Sequence, residues 1–179
     1  MIRPSLLTFT LSLLTACGGG GSDSDGIPTT PPSAAAQALV LREDPGAAKS
    51  VTDARAAGAA DAVVIEGRIR EITPGFAAFR LIDEQLPYCG QECKDGCRTP
   101  WDYCCEQSDT ISANLIPVEA VDASGKTIAT PALPDLRNLD KVKVKGKLTV
   151  DERGNFKLLA SGIYRVERPQ LPGDLLWPQ

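Results

Sequence analysis

Histidine is absent from this 179-residue chain. That excludes His-based catalytic triads, His-ligated haem and zinc centres of the catalytic His type. Aromatic residues make up only 5% of the sequence, so the stacking platforms on which proteins hold single-stranded bases are lacking. Basic residues are outnumbered, with 19 Lys and Arg against 23 Asp and Glu and a net charge of −4. An acidic chain has no general attraction for phosphate backbones, and nucleic acid is not expected as a partner. No side-chain constellation for catalysis stands out either, and the chain does not read as an enzyme.

Cysteine is what the sequence does have, and it is concentrated. Of six cysteines, five fall in the stretch CGQECKDGCRTPWDYCC, at Cys89, Cys93, Cys97, Cys104 and Cys105, and the sixth is Cys17. The compartment decides what such thiols do. The chain opens MIRPSLLTFTLSLLTAC, with Arg3 as a short positive region and an apolar run from Leu6 to Leu14 broken only by Thr8, Thr10 and Ser12. That run is too short to span a bilayer and suits the core of a signal peptide.

The close of that segment, Leu14-Thr15-Ala16-Cys17, resembles the bacterial lipobox, in which small residues precede an invariant cysteine. The resemblance implies a signal peptide over 1–17, a lipid on Cys17 as the mature N-terminus, and attachment to a membrane of the bacterial cell envelope. Gly18 occupies the position where an Asp would retain a lipoprotein in the inner membrane. The implied location is therefore the outer membrane, facing the periplasm or the exterior. Residues 18–37, Gly/Ser-rich and then Pro/Thr-rich, read as a flexible spacer between lipid and domain. Loss of Arg3 with the leader makes the mature chain one unit more negative than −4.

Residues 38–168 have the length of one domain with one core. Ser50 or Thr52 is placed to cap a short helix over Asp53 to Ala57 that closes near Gly58. Strands are expected over Ala62 to Ile72, Phe76 to Asp83, Ser112 to Asp122, Val142 to Val150 and Phe156 to Glu167, with Lys126 to Thr130 pairing back on the third. The fourth alternates Val142, Val144, Leu148 and Val150 with outward Lys143, Lys145 and Thr149, the period of a half-buried strand. The row Lys141, Lys143, Lys145, Lys147 is expected to guard a solvated face. Pro131 to Asp140 is Pro-broken, and residues 169–179 form a Pro-rich tail.

Five strands with Gly67, Gly146 and Gly162 inside them suit hard coiling into a small barrel. The order is similar to the OB-fold, a five-stranded Greek-key barrel; the alternative is a small β-sandwich. The fold class is thus mainly β, with one short N-terminal helix and a Cys-rich loop, 84–108, inserted between the second and third strands. The lead-in VTDARAAGAADAVVIEGRI resembles that of bacterial periplasmic OB-fold proteins. The combination of GAAKSVTDARAAG, VVIEGRI, AAFRLID, CRTPWDYCCE, KVKGKLTVDERGN and ASGIY resembles a family of uncharacterised lipoproteins from planctomycete-type bacteria, most sharply at Thr99 to Cys105. That resemblance implies four recurring cysteines here, with either Cys89 or Cys93 as an extra one, and brings no activity with it.

Three uses of the thiols remain open. Disulfides would brace a long loop poor in apolar residues, with Trp101, Asp102 and Tyr103 anchoring it over the barrel mouth; five thiols leave one over. A metal site of soft thiolates would suit zinc, copper or an iron–sulfur cluster, although the Cys-x2-Cys pair of zinc knuckles is missing. Redox catalysis lacks the Cys-x-x-Cys motif at a helix start. Asp83, Glu84, Asp95 and Asp102 around the cysteines are expected to form a solvated acidic loop. The reading is an envelope-anchored, non-enzymatic module that presents a braced loop to an unknown ligand or envelope protein, or else a thiolate metal protein with a sensing or electron-transfer role.

Overall fold

The computed structural model describes residues 31–91 and 97–171. The expected leader with Cys17, most of the spacer, Cys93, Asp95 and residues 172–179 of the tail lie outside the described residues. The elements in chain order are α1 (Ala34–Leu39), β1 (Lys49–Ser50), α2 (Val51–Ala57), β2 (Ala60–Ile72), β3 (Ala78–Ile82), a 3-10 turn (Pro100–Asp102), α3 (Ser108–Ala113), β4 (Leu115–Ala120), β5 (Lys141–Val150) and β6 (Phe156–Glu167).

The sheet runs β1-β2-β3-β4-β6-β5, and β2 pairs a second time, with β5. That pairing closes five strands, β2-β3-β4-β6-β5, into a barrel and removes the sandwich alternative. All its pairings are antiparallel except β4 with β6, where Val118, Glu119 and Ala120 run parallel to Leu158, Leu159 and Ala160. This is the OB-like Greek key expected from the strand order, and the cysteine segment lies between β3 and β4, the second and third strands of the barrel.

Closure depends on β2 serving two neighbours along its length. Its first part, Ala60 to Arg68, pairs with β5, and its last part, Arg68 to Ile72, pairs with β3. Gly67 stands at the changeover, where an added Cβ would lie 2.5 Å from the carbonyl oxygen of Ile82. Gly146 sits at a register shift between β5 and β6, and a Cβ there would collide with the carbonyl of Leu159. A side chain at either position would hold the strands too far apart to coil.

The barrel interior is filled from every strand, by Ile65, Ile69, Leu81, Ile116, Val118, Val142, Val144, Leu148, Leu158 and Ile163 among others. The Pro-broken segment between β4 and β5 sends Leu133 and Leu136 into the same core. Ser50 caps α2, its hydroxyl accepting from the Asp53 N–H at 3.0 Å, and the helix buries Val51 and Ala54. Of the two candidate caps, then, Ser50 is the one used. Thr52 turns to Asp83 instead.

Several boundaries differ from the expectation. The folded body begins ahead of residue 38: Ser33 caps α1, and Ala36 is fully buried. Polar spacer composition hid a short alanine helix with one apolar contact face. Ser112 and Ala113 belong to α3 rather than to the following strand. Phe76 makes a single bridge to Ala129 and is 45% exposed, so β3 starts only at Ala78. Thr127 bridges back to Val121 as expected. Val150, expected inside, is 37% exposed because β5 outruns the core at its end. The lysine row does face outward, but three of its members are engaged: Lys141 with Glu66 and Glu84 at 2.9 Å, Lys143 with Asp44 at 2.8 Å, and Lys147 with Asp61 at 2.8 Å.

Candidate metal centre

The loop after β3 is anchored at its first residue. Asp83 is fully buried, not solvated as expected. Its Oδ2 accepts the Thr52 N–H at 2.8 Å and the Thr52 hydroxyl at 2.9 Å, and its Oδ1 accepts the Gln85 N–H at 3.0 Å. Glu84, the next carboxylate, is drawn to Lys141. The chain then turns at Tyr88 to Gln91, where the Gln91 N–H donates to the Tyr88 carbonyl at 3.1 Å and Gly90 takes a φ of 81°. That turn carries Cys89, which is 5% exposed.

The second half of the loop is set by TPWDYCC. Pro100 opens the 3-10 turn, a position where its missing N–H costs nothing. Tyr103 ends the turn in the left-handed region at φ 54°. A non-glycine residue tolerates that conformation only where its surroundings hold it. Here the ring is completely buried with Ile82 and Leu139, and Leu86, Tyr88, Trp101, Ile111 and Leu171 pack around them. The expected anchors thus divide the work. Tyr103 is a buried plug and Trp101 a half-buried cover. Asp102 has an exposed side chain and engages the barrel through its carbonyl, which accepts from Arg70 at 3.3 Å.

The reversal at Tyr103 brings Cys104 back onto the first turn. The Cys104 Sγ lies 3.5 Å from that of Cys89 and 3.6 Å from that of Cys97. All three sulfurs fall within 4.8 Å of one another. Cys105 joins at the edge, meeting Cys89 through its backbone N–H and its side chain, but it stands outside the mutual trio. Disulfide sulfurs lie about 2.05 Å apart. The observed separations are far longer, and no disulfide joins one described cysteine to another. They match instead the edge of a tetrahedron of thiolates around one ion, about 3.8 Å for metal–sulfur bonds of about 2.3 Å. The disulfide brace considered from the sequence therefore does not describe Cys89, Cys97 and Cys104. Cys93, the possible extra cysteine, lies outside the described residues.

The electrostatics of the cluster are those of thiols sharing protons. Burial pushes the Cys89 thiol up, but the Cys105 N–H and side-chain bonds from Cys104, Cys105 and Cys97 outweigh it and hold Cys89 below its ordinary value. Cys104 is pushed up to about 12, first by its hydrogen bond to Cys89 and then by that to Cys97. One thiol ionises only by keeping its neighbour protonated. A bound cation lifts that restriction, since thiolates are the metal-binding form.

Beneath the cluster lies a set of polar groups that the sequence did not reveal. Arg68 is 8% exposed, its guanidinium 5.4 Å above the Tyr88 ring and its one side-chain hydrogen bond among the described residues a long 3.4 Å to the Leu139 carbonyl. It makes no ion pair among the described residues. Its Nε, the Nε of Arg70 and the hydroxyl of Tyr103 are buried without a hydrogen-bond partner among the described residues. Burial raises the Tyr103 pKa, against the opposing charges of Arg68 and Arg70, so the phenol stays neutral. Consecutive burial of Gly67, Arg68 and Ile69 breaks the strand period at the bulge in β2, which is why Arg68 gave no signal as a site residue. Tyr88, adjacent to Cys89, offered the only hint.

No helix among the described residues is long and apolar enough to cross a membrane. The chain matches no protein-family model, and no similar curated protein or solved structure was found.

Proposed function

We propose that this is a non-enzymatic metal–thiolate module of a lipid-anchored envelope protein, in which one zinc ion clamps loop 84–108 over the Tyr103 end of the barrel. The observation that carries the reading is the spacing of Cys104 to Cys89 and Cys97, 3.5 and 3.6 Å. Three thiolates come from this trio and a fourth from Cys105, which meets Cys89 at the edge of the cluster, closing the coordination. A closed site has no open position for substrate, so its role is to hold structure. A single ion is favoured over an iron–sulfur cluster because three sulfurs crowd around one point. Zinc is favoured over copper because four thiolates suit its tetrahedral preference.

Charge supports the same reading. Zinc with four thiolates carries a net charge of −2, and with three thiolates −1. Arg68 is a buried cation that makes no ion pair among the described residues, a costly state unless an anion is near. Its guanidinium lies 5.4 Å from the ring of Tyr88, the residue next to Cys89. An anionic metal centre offsets that charge, whereas neutral disulfides would not.

The lipobox resemblance of Leu14 to Cys17 supplies the anchor and the cell-envelope location, with the clamped loop displayed to an envelope ligand or protein partner. Two measurements test the two halves separately. A zinc chelator should lower the melting temperature of the purified protein and make its thiols reactive, while a reductant alone should do neither; stability insensitive to chelator overturns the metal. Cys17→Ala should release the protein from membranes, and a variant that stays with membranes after a high-salt wash overturns the anchor.

A further inference from the structure

A second site lies on the outer wall of the barrel, away from the thiols' own trio. A groove of about 570 Å³ runs over β2, β3 and β4 between α3 and the hairpin loop that precedes β6. Its volume is that of a small-molecule pocket. Three guanidiniums line it, from Arg55 of α2, Arg70 of β2 and Arg80 of β3, and no acidic residue does among the described residues. In a chain whose net charge is −4, this concentration of one sign is against the overall balance.

Two of the three arginines, Arg55 and Arg70, are not ordinary solvated surface charges. The Arg55 Nη1 donates to the Leu115 carbonyl at 2.8 Å, and its guanidinium lies 4.6 Å from the Phe156 ring centre. It is held in place before any ligand arrives, which removes part of the ordering cost of binding. The Arg70 side chain is largely buried; its Nη atoms reach the Asp102 carbonyl at 3.3 Å and Glu71 only at 4.0 Å, and its Nε has no partner among the described residues. Arg80 reaches in from the next strand; its only ion pair among the described residues is with Glu71 at 3.3 Å, where both side chains are more than half exposed. An exposed pair of that kind holds Arg80 only weakly. Gathered guanidiniums repel one another, and planar forks of N–H donors match the geometry of oxyanions.

The floor of the groove is apolar, from Ile111, Leu115, Pro117 and Phe156. Ser108 and Ser112 of α3 add hydroxyls at the side. Basic rim and apolar floor together ask for a molecule with both characters. We infer that this groove binds a small organic anion, whose carboxylate or phosphate head is held by Arg70 and Arg80 and whose apolar body lies against Phe156 and Ile111. The inference does not depend on the metal: the arginines and the floor come from the barrel strands, α2 and α3.

Titration of the whole protein with phenyl phosphate and, in parallel, with benzoate tests it, followed by NMR chemical shifts. The expected result is saturable one-to-one binding of at least one of the two, weakened by added salt, with shifts centred on Arg55, Arg80 and Phe156. The better of the two heads names the ligand class. Arg80→Gln should weaken binding about tenfold, the loss expected of one charge-assisted contact, without moving the melting temperature. Lys126→Gln, at the exposed position just after the turn at Asp122 to Gly125, should leave it unchanged. Inorganic phosphate should bind more weakly than phenyl phosphate, since it lacks the apolar body. Absence of binding by both probes, equal binding by Arg80→Gln and wild type, or equal binding of uncharged phenol would each overturn the inference.

Discussion

Asp83 and Thr52 join the start of the cysteine loop to the start of α2: one carboxylate oxygen of Asp83 accepts both the N–H and the hydroxyl of Thr52, at 2.8 and 2.9 Å. The bond links residues far apart in sequence, and it fixes where β3 ends and the loop begins. Asp83→Ala would leave the Thr52 and Gln85 donors without their acceptor inside a closed part of the fold. The expected loss is about 2–4 kcal/mol in denaturant unfolding, because stranded buried donors cost more than the net value of their bonds. Asp83→Asn, which keeps one carbonyl acceptor, should lose less.

Gly67 provides the second prediction. Its missing Cβ would lie 2.5 Å from the Ile82 carbonyl and 3.1 Å from a Val51 methyl. The obstacle is backbone on one side, so no side-chain rotation relieves it. Gly67→Ala should cost about 3 kcal/mol or more, by forcing β2 and β3 apart. Gly125→Ala provides the contrast: at φ +83° with nothing within 4 Å of the added carbon, it meets only conformational strain, about 1–2 kcal/mol. Thermal melts of the two variants should separate clearly.

The faces of β5 give the third. Val144 is fully buried and Lys145, its neighbour, is exposed. Val144→Asp should unfold the domain, since an unpaired buried carboxylate has nothing to offset its desolvation. Lys145→Asp should stay within about 0.5 kcal/mol of wild type. Equal melting temperatures would contradict the assigned face.

The parts of this fold that were legible in the sequence are those governed by short-range pattern. Alternation of Val142, Val144 and Leu148 with lysines gave β5, Ser50 and Gly58 bracketed α2, and glycines at 67 and 146 marked where strands cross closely. What escaped is set by tertiary contact. Ala34–Leu39 is too short and too rich in alanine for its face of Ala36 and Leu39 to stand out as a helical period. Arg68 reads as one more strand residue until the bulge turns it inward. The cysteine spacing was equally compatible with disulfides and with a metal, because spacing alone does not say how far apart the sulfurs stand. The left-handed turn at Tyr103 sets that distance, and nothing in the letters TPWDYCC states a φ of 54°.

The most direct measurement of the central claim is native mass spectrometry of the protein purified without chelator, on wild type and on Cys104→Ser. Cys104 is the sulfur that stands between Cys89 and Cys97 at 3.5 and 3.6 Å. The account predicts one zinc ion per wild-type chain, lost on acidification together with loop order, and none retained by Cys104→Ser. A wild-type protein that carries no metal and whose mass is lowered by the hydrogens given up to disulfides would contradict it.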